Sequence, residues 1–204
     1  MFIKIYDKNP DMNQIRKIVD LLKNGSLVII PTDSVYGIAC DINSRKAVEN
    51  MANLKGIKLK DADFSFIFHE LSSVSEYTKP MSNHIFKVIK KNLPGPFTFI
   101  LDANNNIPNF FRKSKKTIGV RIPDNEIVMT IVKELGNPIL STSVHADDEV
   151  REYMTDPSLI YEKYNKVVEA VIDGGYGKIE ASTIADCTGD VIEILREGIE
   201  PLRY

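Results

Sequence analysis

Residues 27–37, with the sequence LVIIPTDSVYG, decide the fold. The first four are all apolar and mostly β-branched, which is typical of a short strand buried on both faces of a sheet. Two hydroxyl groups, a carboxylate and a phenol follow at once, at the strand end where α/β proteins bind ligands. We therefore predict a binding loop that contains Thr32, Ser34 and Tyr36. A rigid turn in which Thr32 and Ser34 bond to the backbone would explain the same residues.

Helix and strand patterns alternate along the rest of the chain. We predict two helices capped by Asp11 and Asp124, which end near Gly25 and Gly136, and further helices over residues 45–54 and 82–91. The predicted strands span residues 27–30, 64–68, 97–101, 117–122, 139–142, 167–172, 182–187 and 191–195. This alternation predicts an α/β fold with an open, twisted sheet of parallel and antiparallel neighbours, flanked by helices. Since no repeat or linker divides the sequence, we predict a single domain over residues 1–204.

Composition narrows the class of protein. The 204 residues are 43% hydrophobic and 26% charged, as in globular proteins, and the net charge is −2. The longest apolar run is far shorter than the roughly 18 residues of a membrane span, and the charge excludes a uniformly basic nucleic-acid binder. Cys40 and Cys187 cannot form a disulfide framework, and the histidines lack zinc spacing, so we predict no metal site. The residues after Met1 show no secretory signal pattern, and the expected compartment is the cytoplasm.

Five further segments place polar side chains at the ends of predicted elements. Lys55 and Lys58 follow a helix, where cations favour the helix dipole and where their ammonium groups could also neutralise phosphates. Arg121 lies inside an apolar strand and needs an anion, either an internal carboxylate or a ligand phosphate. The other three segments are marked by Thr98, by Ser141 with Ser143, and by Ser182 with Arg196. No catalytic triad order, Walker loop or dinucleotide fingerprint accompanies them, so the set suits electrostatic positioning of a phosphorylated ligand and we assign no catalytic residue.

A basic segment precedes the strand predicted at residues 117–122. Its four cations, with three more upstream, are Arg112, Lys113, Lys115 and Lys116, and Lys87, Lys90 and Lys91. Such a run is commonly a solvated loop. It also suits a surface that follows the phosphate backbone of RNA, in which case binding would weaken as salt is added.

Taken in this order, the six polar segments resemble the YrdC-like family, whose best-known members are threonylcarbamoyl-AMP synthases. The resemblance runs from about Asp11 to Arg196, and the ordered combination is far more specific than any one segment. It implies an open, strongly twisted sheet around a positively charged concave cavity. It also implies a reaction in which ATP, threonine and bicarbonate form threonylcarbamoyl-AMP and pyrophosphate, with Mg²⁺ accompanying ATP, for the modification of tRNA.

The resemblance also implies roles for individual residues. The predicted substrate-binding set, near threonine, comprises Thr32, Ser34, Tyr36, His69, Ser141 and Ser182. The predicted nucleotide-binding set comprises Lys55, Lys58, Thr98, Arg121, Ser143 and Arg196. Four members of these two sets are predicted from the segment patterns and not from the resemblance, namely Thr32, Tyr36, Lys58 and Arg121.

Two positions depart from the Lys-x-Arg and Ser-x-Asn pattern that the synthases gather around the phosphates. Ile57 stands where the arginine is expected after Lys55, and His145 replaces the asparagine. An alkyl group in place of a guanidinium removes a full charge and a planar fork of donors. Lys58 or Lys60 could supply a charge there, but only as a point charge. These departures resemble the YciO-like branch of the family.

The sequence thus supports two functions. One is threonylcarbamoyl-AMP synthesis, with ATP or AMP, threonine and bicarbonate in the cavity and tRNA as the eventual recipient. The other is a YciO-like protein that binds nucleotide and structured or double-stranded RNA without making the adenylate, or that hydrolyses ready-made threonylcarbamoyl-AMP. In either case we expect a monomer or weak dimer without membrane contact.

Overall fold

The computed structural model describes residues 1–112, 116–144 and 154–204. Within these ranges the helices are α1 (Met12–Lys23), α2 (Arg45–Leu54), α3 (Leu71–Val74), α4 (Asn83–Asn92), α5 (Asn109–Arg112), α6 (Glu126–Leu135) and α7 (Pro157–Tyr164). Polar side chains cap first turns, as Ser44 does by accepting a hydrogen bond from the Ala47 amide. The helix predicted to be capped by Asp124 is capped instead by Asn125, whose side chain accepts from the Val128 amide. None of these described helices has the length and apolar content needed to cross a membrane.

Ten strands of the described ranges hydrogen-bond in one sheet, and the predicted mixed α/β fold is confirmed. The strands are β1 (Phe2–Lys4), β2 (Val28–Ile30), β3 (Gly37–Asp41), β4 (Ser65–Ile67), β5 (Phe97–Asp102), β6 (Thr117–Arg121), β7 (Ile139–Ser143), β8 (Ala170–Asp173), β9 (Thr183–Asp186) and β10 (Glu193–Arg196). Their order across the sheet is β1-β8-β2-β3-β7-β4-β6-β5-β9-β10. The apolar β2 lies buried between parallel β8 and antiparallel β3, as its sequence predicts.

Apolar layers cover both faces of the sheet, because alternate residues of a strand point to opposite sides. On one face, buried residues of β2, β3 and β8 pack against α1 and α6. On the other face, residues of α2, α4 and α7 join a larger core that includes Phe97, Phe99 and Val120. The sheet therefore separates two hydrophobic layers.

The sheet face that packs against α1 and α6 is no longer apolar towards β4 and β6. Ile139 of β7 belongs to the apolar layer there, and Ser141 follows it on the same side of the strand. Ser141 is in register with Ser65 of β4, which in turn is in register with Gly119 of β6. Register partners share a face, so this part of the sheet presents small and hydroxyl side chains in place of an apolar layer. A concave space opens above them.

Two strands and three helices escape the sequence patterns, and two of these helices, α3 and α5, have only four residues each. β3 follows the binding loop directly, and Gly37, Ala39 and Asp41 have low β propensity, although all five of its residues are buried between β2 and β7. β1 has only three residues at the edge of the sheet. α7 begins at Pro157 after the capping residue Asp156, which is a recognisable signal for a helix start.

Candidate functional site

A polar chamber of 190 Å³ opens above the small side chains of the sheet. Segments that are distant in sequence meet in it: the binding loop after β2, the start of β5, the ends of β6 and β7, the loop before β9 and the end of β10. Its hydroxyl-bearing and charged lining residues are Ser34, Tyr36, Asp63, Ser65, Thr98, Arg121, Ser141, Thr142, Ser143, Ser182 and Arg196. Most of these are residues that the sequence singles out for substrate or nucleotide binding.

An apolar chamber of 270 Å³ adjoins the polar one. The residues that line both chambers are Asp63, Ser65, Thr98, Ile184 and Arg196. The apolar residues that line only the larger chamber include Phe64, Phe66, Ile100, Phe111, Ile118 and Leu140. The two chambers together offer one wall suited to a flat apolar group and another suited to polar and charged groups.

Arg121 forms a buried ion pair at the polar chamber. Its Nη2 lies 3.0 Å from Asp33 Oδ1 and also donates to Ser34 Oγ at 3.0 Å, while Asp33 Oδ2 accepts from the Asp124 amide. An internal carboxylate, one of the two partners expected for Arg121, therefore neutralises it. Burial lowers the pKa of Arg121 and raises the pKa of Asp33, although the charge of Arg121 opposes the second shift. The buried Nε of Arg121 has no hydrogen-bond partner among the described residues.

Thr98 and Ser182 connect β5 to the start of β9 through a distance of 2.9 Å between their hydroxyl oxygens. Arg196 completes this group, since its Nε and Nη2 donate to the Ser182 carbonyl at 3.1 and 2.8 Å. A register shift between Ile194 and Arg196 marks a bulge in β10, and bulges often re-aim a side chain beside a binding site. Burial lowers the pKa of Arg196, but a guanidinium stays charged at neutral pH. A cation therefore borders both chambers.

Lys55, at the end of α2, does not line either chamber but contacts Ser143, which lines the polar chamber. It occupies the C-cap position, and its Nζ donates to the carbonyl of Ser143 at 3.1 Å. Ile57 and Lys58 follow, both exposed, and neither lines either chamber. Lys58 instead precedes a short 3-10 turn at Leu59–Asp61. Of these two predicted nucleotide ligands, Lys55 therefore contacts the site, whereas Lys58 is turned to solvent.

Thr32 and Tyr36 use their hydroxyl groups within the protein. Thr32 Oγ1 donates to the Val35 carbonyl at 2.7 Å, as the rigid-turn alternative predicts for this residue. Ser34 Oγ instead contacts side chains, Thr32 Oγ1 at 3.2 Å and Arg121 Nη2 at 3.0 Å. The Tyr36 hydroxyl donates to the Gly175 carbonyl at 2.7 Å and accepts from the amide of the preceding glycine at 3.1 Å. Thr32 does not line either chamber, and Tyr36 borders the polar one with its hydroxyl already engaged. Both residues therefore shape the binding loop.

His69 is a predicted substrate-binding residue that follows the end of β4. β4 ends at Ile67, whose register partner is Arg121, and His69 follows beyond this last pair. Its Nε2 is 3.6 Å from the Glu70 carboxylate, and it lines neither chamber. Within the described ranges, no three side chains of His, Cys, Asp or Glu come together as metal ligands.

The basic segment falls largely outside the described residues. Lys113, Lys115 and also His145 lie in undescribed ranges, and Arg112 ends α5. Lys116 is exposed just before β6. RNA binding by this segment therefore stays a prediction.

Lining residues that the sequence analysis does not name include Asp63, Ser65 and Gly119. Ser65 interrupts an apolar strand, and Gly119 stands two residues before Arg121, on the same face of β6. Alternation of small or polar residues within predicted strands was the available signal. The lack of a side chain at Gly119 leaves room for Thr98, because a Cβ at position 119 would lie 3.1 Å from Thr98 Cγ2.

Comparison by sequence gives a family and named relatives. Residues 20–198 match the model of the Sua5, YciO and YrdC proteins, which is described as telomere recombination. The uncharacterized protein YciO of Escherichia coli is 33% identical over 201 residues, which cover 97% of this chain and 95% of that protein. A putative threonylcarbamoyl-AMP synthase of Methanocaldococcus jannaschii is 33% identical over 208 residues, with coverage of 98% and 94%.

Solved structures share the fold. The crystal structure of E. coli YciO matches with a TM-score of 0.90 and 31% identity, and covers 100% of this chain and 98% of that chain. Sua5 of Pyrococcus abyssi, crystallised with L-threonine, matches with a TM-score of 0.86 over 97% of this chain and 57% of its own. At 24% identity, this second likeness concerns the fold alone.

Proposed function

The chain belongs to the Sua5/YciO/YrdC family, and on this premise we propose that its cavity binds an adenine nucleotide beside L-threonine and forms threonylcarbamoyl-AMP. The observation that carries the proposal is the convergence of five residues from separate segments on one polar chamber. These are Ser34, Thr98, Ser143, Ser182 and Arg196. A site built from hydroxyls and a guanidinium positions reactants and offsets charge, which is what transfer of a nucleotidyl group requires.

The two chambers suit the two ends of this adenylate. The larger chamber, with Phe64 and Phe66 in its wall, suits the flat apolar surface of the base. The smaller chamber suits the amino acid. Arg121 donates to Ser34 there, and a guanidinium matches the planar geometry of a carboxylate. This contact favours a place for Arg121 at the threonine carboxylate over the nucleotide role expected from its sequence position.

The reaction depends on how the protein positions the reactants more than on covalent catalysis by its side chains. Threonine and bicarbonate condense to a carbamate with loss of water, and a carbamate oxygen then attacks the α-phosphorus in line. A new P–O bond forms as the bond to pyrophosphate breaks. In the proposed complex, Ser34 and Ser182 hold the amino acid, while Arg196 and Lys55 offset the charge of the phosphates.

Mg²⁺ would enter together with ATP as part of the substrate. Asp63 lines both chambers, and Mg²⁺ is commonly held by one or two carboxylates together with phosphate oxygens and waters. Asp63 is therefore the residue that we propose for this contact. The ion would neutralise charge on the phosphates.

Pyrophosphate release from ATP that depends on both threonine and bicarbonate tests the proposal. Arg196→Ala removes the cation that borders both chambers, and we expect it to lower the rate about tenfold or more. Arg45→Ala is the matched control, because Arg45 is an exposed arginine that pairs with Glu49 on α2. Its rate should equal that of the wild type. A wild-type protein that releases no pyrophosphate in response to threonine would exclude the synthase.

Ile57 favours a second candidate, in which the cavity binds or hydrolyses ready-made threonylcarbamoyl-AMP without making it. Ile57 is exposed at the position where synthases carry an arginine, and Lys58 does not line the chambers. The adenylate lacks the β- and γ-phosphates, so it does not need that arginine. Incubation with purified adenylate tests this candidate. Faster release of AMP by the wild type than by Arg196→Ala supports hydrolysis, and equal release by both excludes it.

A further inference from the structure

β10 contains Arg196, but most of the side chains of this strand are exposed. It is the last strand in the sheet order and pairs with β9. Glu193, Leu195 and Arg196 are exposed, and Ile194 is half-buried. A four-residue edge strand with few buried side chains is expected to open locally at low cost. The Arg196 guanidinium is held by its hydrogen bonds to the Ser182 carbonyl, so the position of the segment around Ser182 also determines where Arg196 points.

Residues 197–204, which we call the strap, form hydrogen bonds with this segment. The Gly198 amide donates to Thr183 Oγ1 at 2.9 Å, and the Ile199 amide donates to the Ala181 carbonyl at 3.0 Å. Thr183 Oγ1 donates in turn to the Glu200 carbonyl. The approach is close enough that a Cβ on Gly198 would lie 2.3 Å from the Ala181 carbonyl oxygen. The strap therefore lies against the segment that includes Ser182.

Asn92, the last residue of α4, holds the far end of the strap. Its Nδ2 donates to the Arg203 carbonyl at 2.7 Å, and its Oδ1 accepts from the Arg203 amide at 3.0 Å. Nδ2 also donates to the Val88 carbonyl at 2.7 Å within α4. Asn92 is only 2% exposed, whereas Arg203 is exposed, so the two hydrogen bonds between them are partly buried. An amide that binds both backbone groups of one residue fixes the strap in a single place.

The chain that leaves Asn92 leads directly to the other side of the site. Residues 93–96 connect α4 to β5, and Thr98 near the start of β5 is hydrogen-bonded to Ser182. Asn92 thus joins the segment that carries Thr98 to the segment that carries Arg196.

We propose that Asn92 is a positioning residue, which holds the strap so that Arg196 is presented to the nucleotide phosphate. The proposal rests on the proposed function, since it takes the cavity to be the nucleotide site. Asn92 touches no ligand in this account and acts through Arg196.

The test measures the affinity for AMP by calorimetry, with AMP as the probe. Asn92→Ala should raise the Kd about three- to tenfold, as expected for the loss of a few hydrogen bonds. Asn104→Ala is the matched control, because Asn104 Nδ2 also donates to two carbonyls, those of Glu76 and Thr78, away from the site. Its Kd should not change.

A double-mutant cycle separates positioning from a general structural effect. If Asn92 acts through Arg196, Asn92→Ala should have no further effect on the Kd in the Arg196→Ala background. Equal effects in both backgrounds would overturn the proposal. Wild-type protein that does not bind AMP would instead refute the proposed function, and the positioning role with it.

Substitution at Arg203 gives a second route should Asn92→Ala fail to fold. Arg203→Pro removes the amide that donates to Asn92, whereas Arg203→Ala removes only the side chain and keeps both backbone contacts. We expect weaker AMP binding and faster hydrogen exchange at the Gly198 and Ile199 amides in the proline variant alone. Matching behaviour of the two variants would contradict the proposal.

Discussion

Arg121 and Asp33 form an ion pair whose two side chains are largely buried. Their side chains are only 10% and 9% exposed, and their closest atoms are 3.0 Å apart. The contribution of such a pair to stability is small, because desolvation offsets most of the attraction. Removal of one partner is different, since it leaves the other charge buried and uncompensated.

We expect Asp33→Ala to lower the free energy of unfolding by about 3–5 kcal/mol, because Arg121 would then be a buried charge without a carboxylate. Urea denaturation measures this change. Combining Asp33→Leu with Arg121→Met removes both charges and should recover most of the loss. A cost below about 1 kcal/mol for Asp33→Ala would indicate that the pair is exposed to water in solution.

Position 57 is the residue that most clearly separates this chain from the synthase pattern. We expect Ile57→Arg to increase the affinity for ATP about tenfold, because it restores a planar cation two residues after Lys55. Phe86→Arg on α4 is the control: Phe86 is 41% exposed and Ile57 is 37% exposed, so both variants add an arginine at a similar apolar surface position. Equal gains in the two variants would show a general charge effect.

Among the elements, the binding loop and the glycine-containing loop after β8 depend on each other. The Tyr36 hydroxyl bonds to Gly174 and Gly175, and the Lys178 amide donates to the Ser34 carbonyl at 3.1 Å. A Cβ on Gly177 would lie 2.8 Å from Tyr36 Cδ2, so the two segments touch. The position of Ser34 is therefore set by a segment far along the chain.

Tyr36→Phe removes both hydroxyl hydrogen bonds while it keeps the ring in place. We expect a loss of about 0.5–1.5 kcal/mol in the free energy of unfolding, since two partly buried hydrogen bonds are lost. Hydrogen exchange at the Lys178 amide should also become faster. Tyr6→Phe is the control, because Tyr6 is 69% exposed, and it should change neither quantity. Unchanged exchange at Lys178 in Tyr36→Phe would mean that the loop is held without the phenol.

At the scale of the whole molecule, the larger hydrophobic layer encloses both cysteines. Cys40 and Cys187 are buried free thiols in that layer. Burial raises the pKa of Cys187 to about 12, and it also raises the pKa of Cys40 above its ordinary value. The reactive thiolate form is therefore scarce at neutral pH.

We expect neither thiol to react with Ellman's reagent in the native protein at pH 8, and both to react at once in concentrated urea. Raising the pH to 9 should make little difference, because that pH is still far below the raised pKa values. Spectrophotometric titration of the released thiolate checks this prediction. One equivalent of fast reaction under native conditions would contradict the two-layer packing around Cys40 or Cys187.

The fold was largely predictable because its signals are local. The apolar residues of β2 and the Asp11 cap of α1 each act within a few positions of the chain, and the predicted strands overlap the observed ones. β3 was missed because Gly37 and Ala39 are poor strand formers. Pairing with β2 and β7 overrides that local preference.

The sequence by itself determined the elements and the candidate segments, because hydrophobic period, caps and turn residues act over short stretches of chain. Only the tertiary structure decided which of those side chains meet. Strand register brings Ser65 and Gly119 beneath the cavity, leaves His69 beyond the end of β4, and pairs Asp33 with Arg121 across 88 positions of sequence. Register and long-range ion pairs depend on how distant segments pack, so no local pattern could have supplied them.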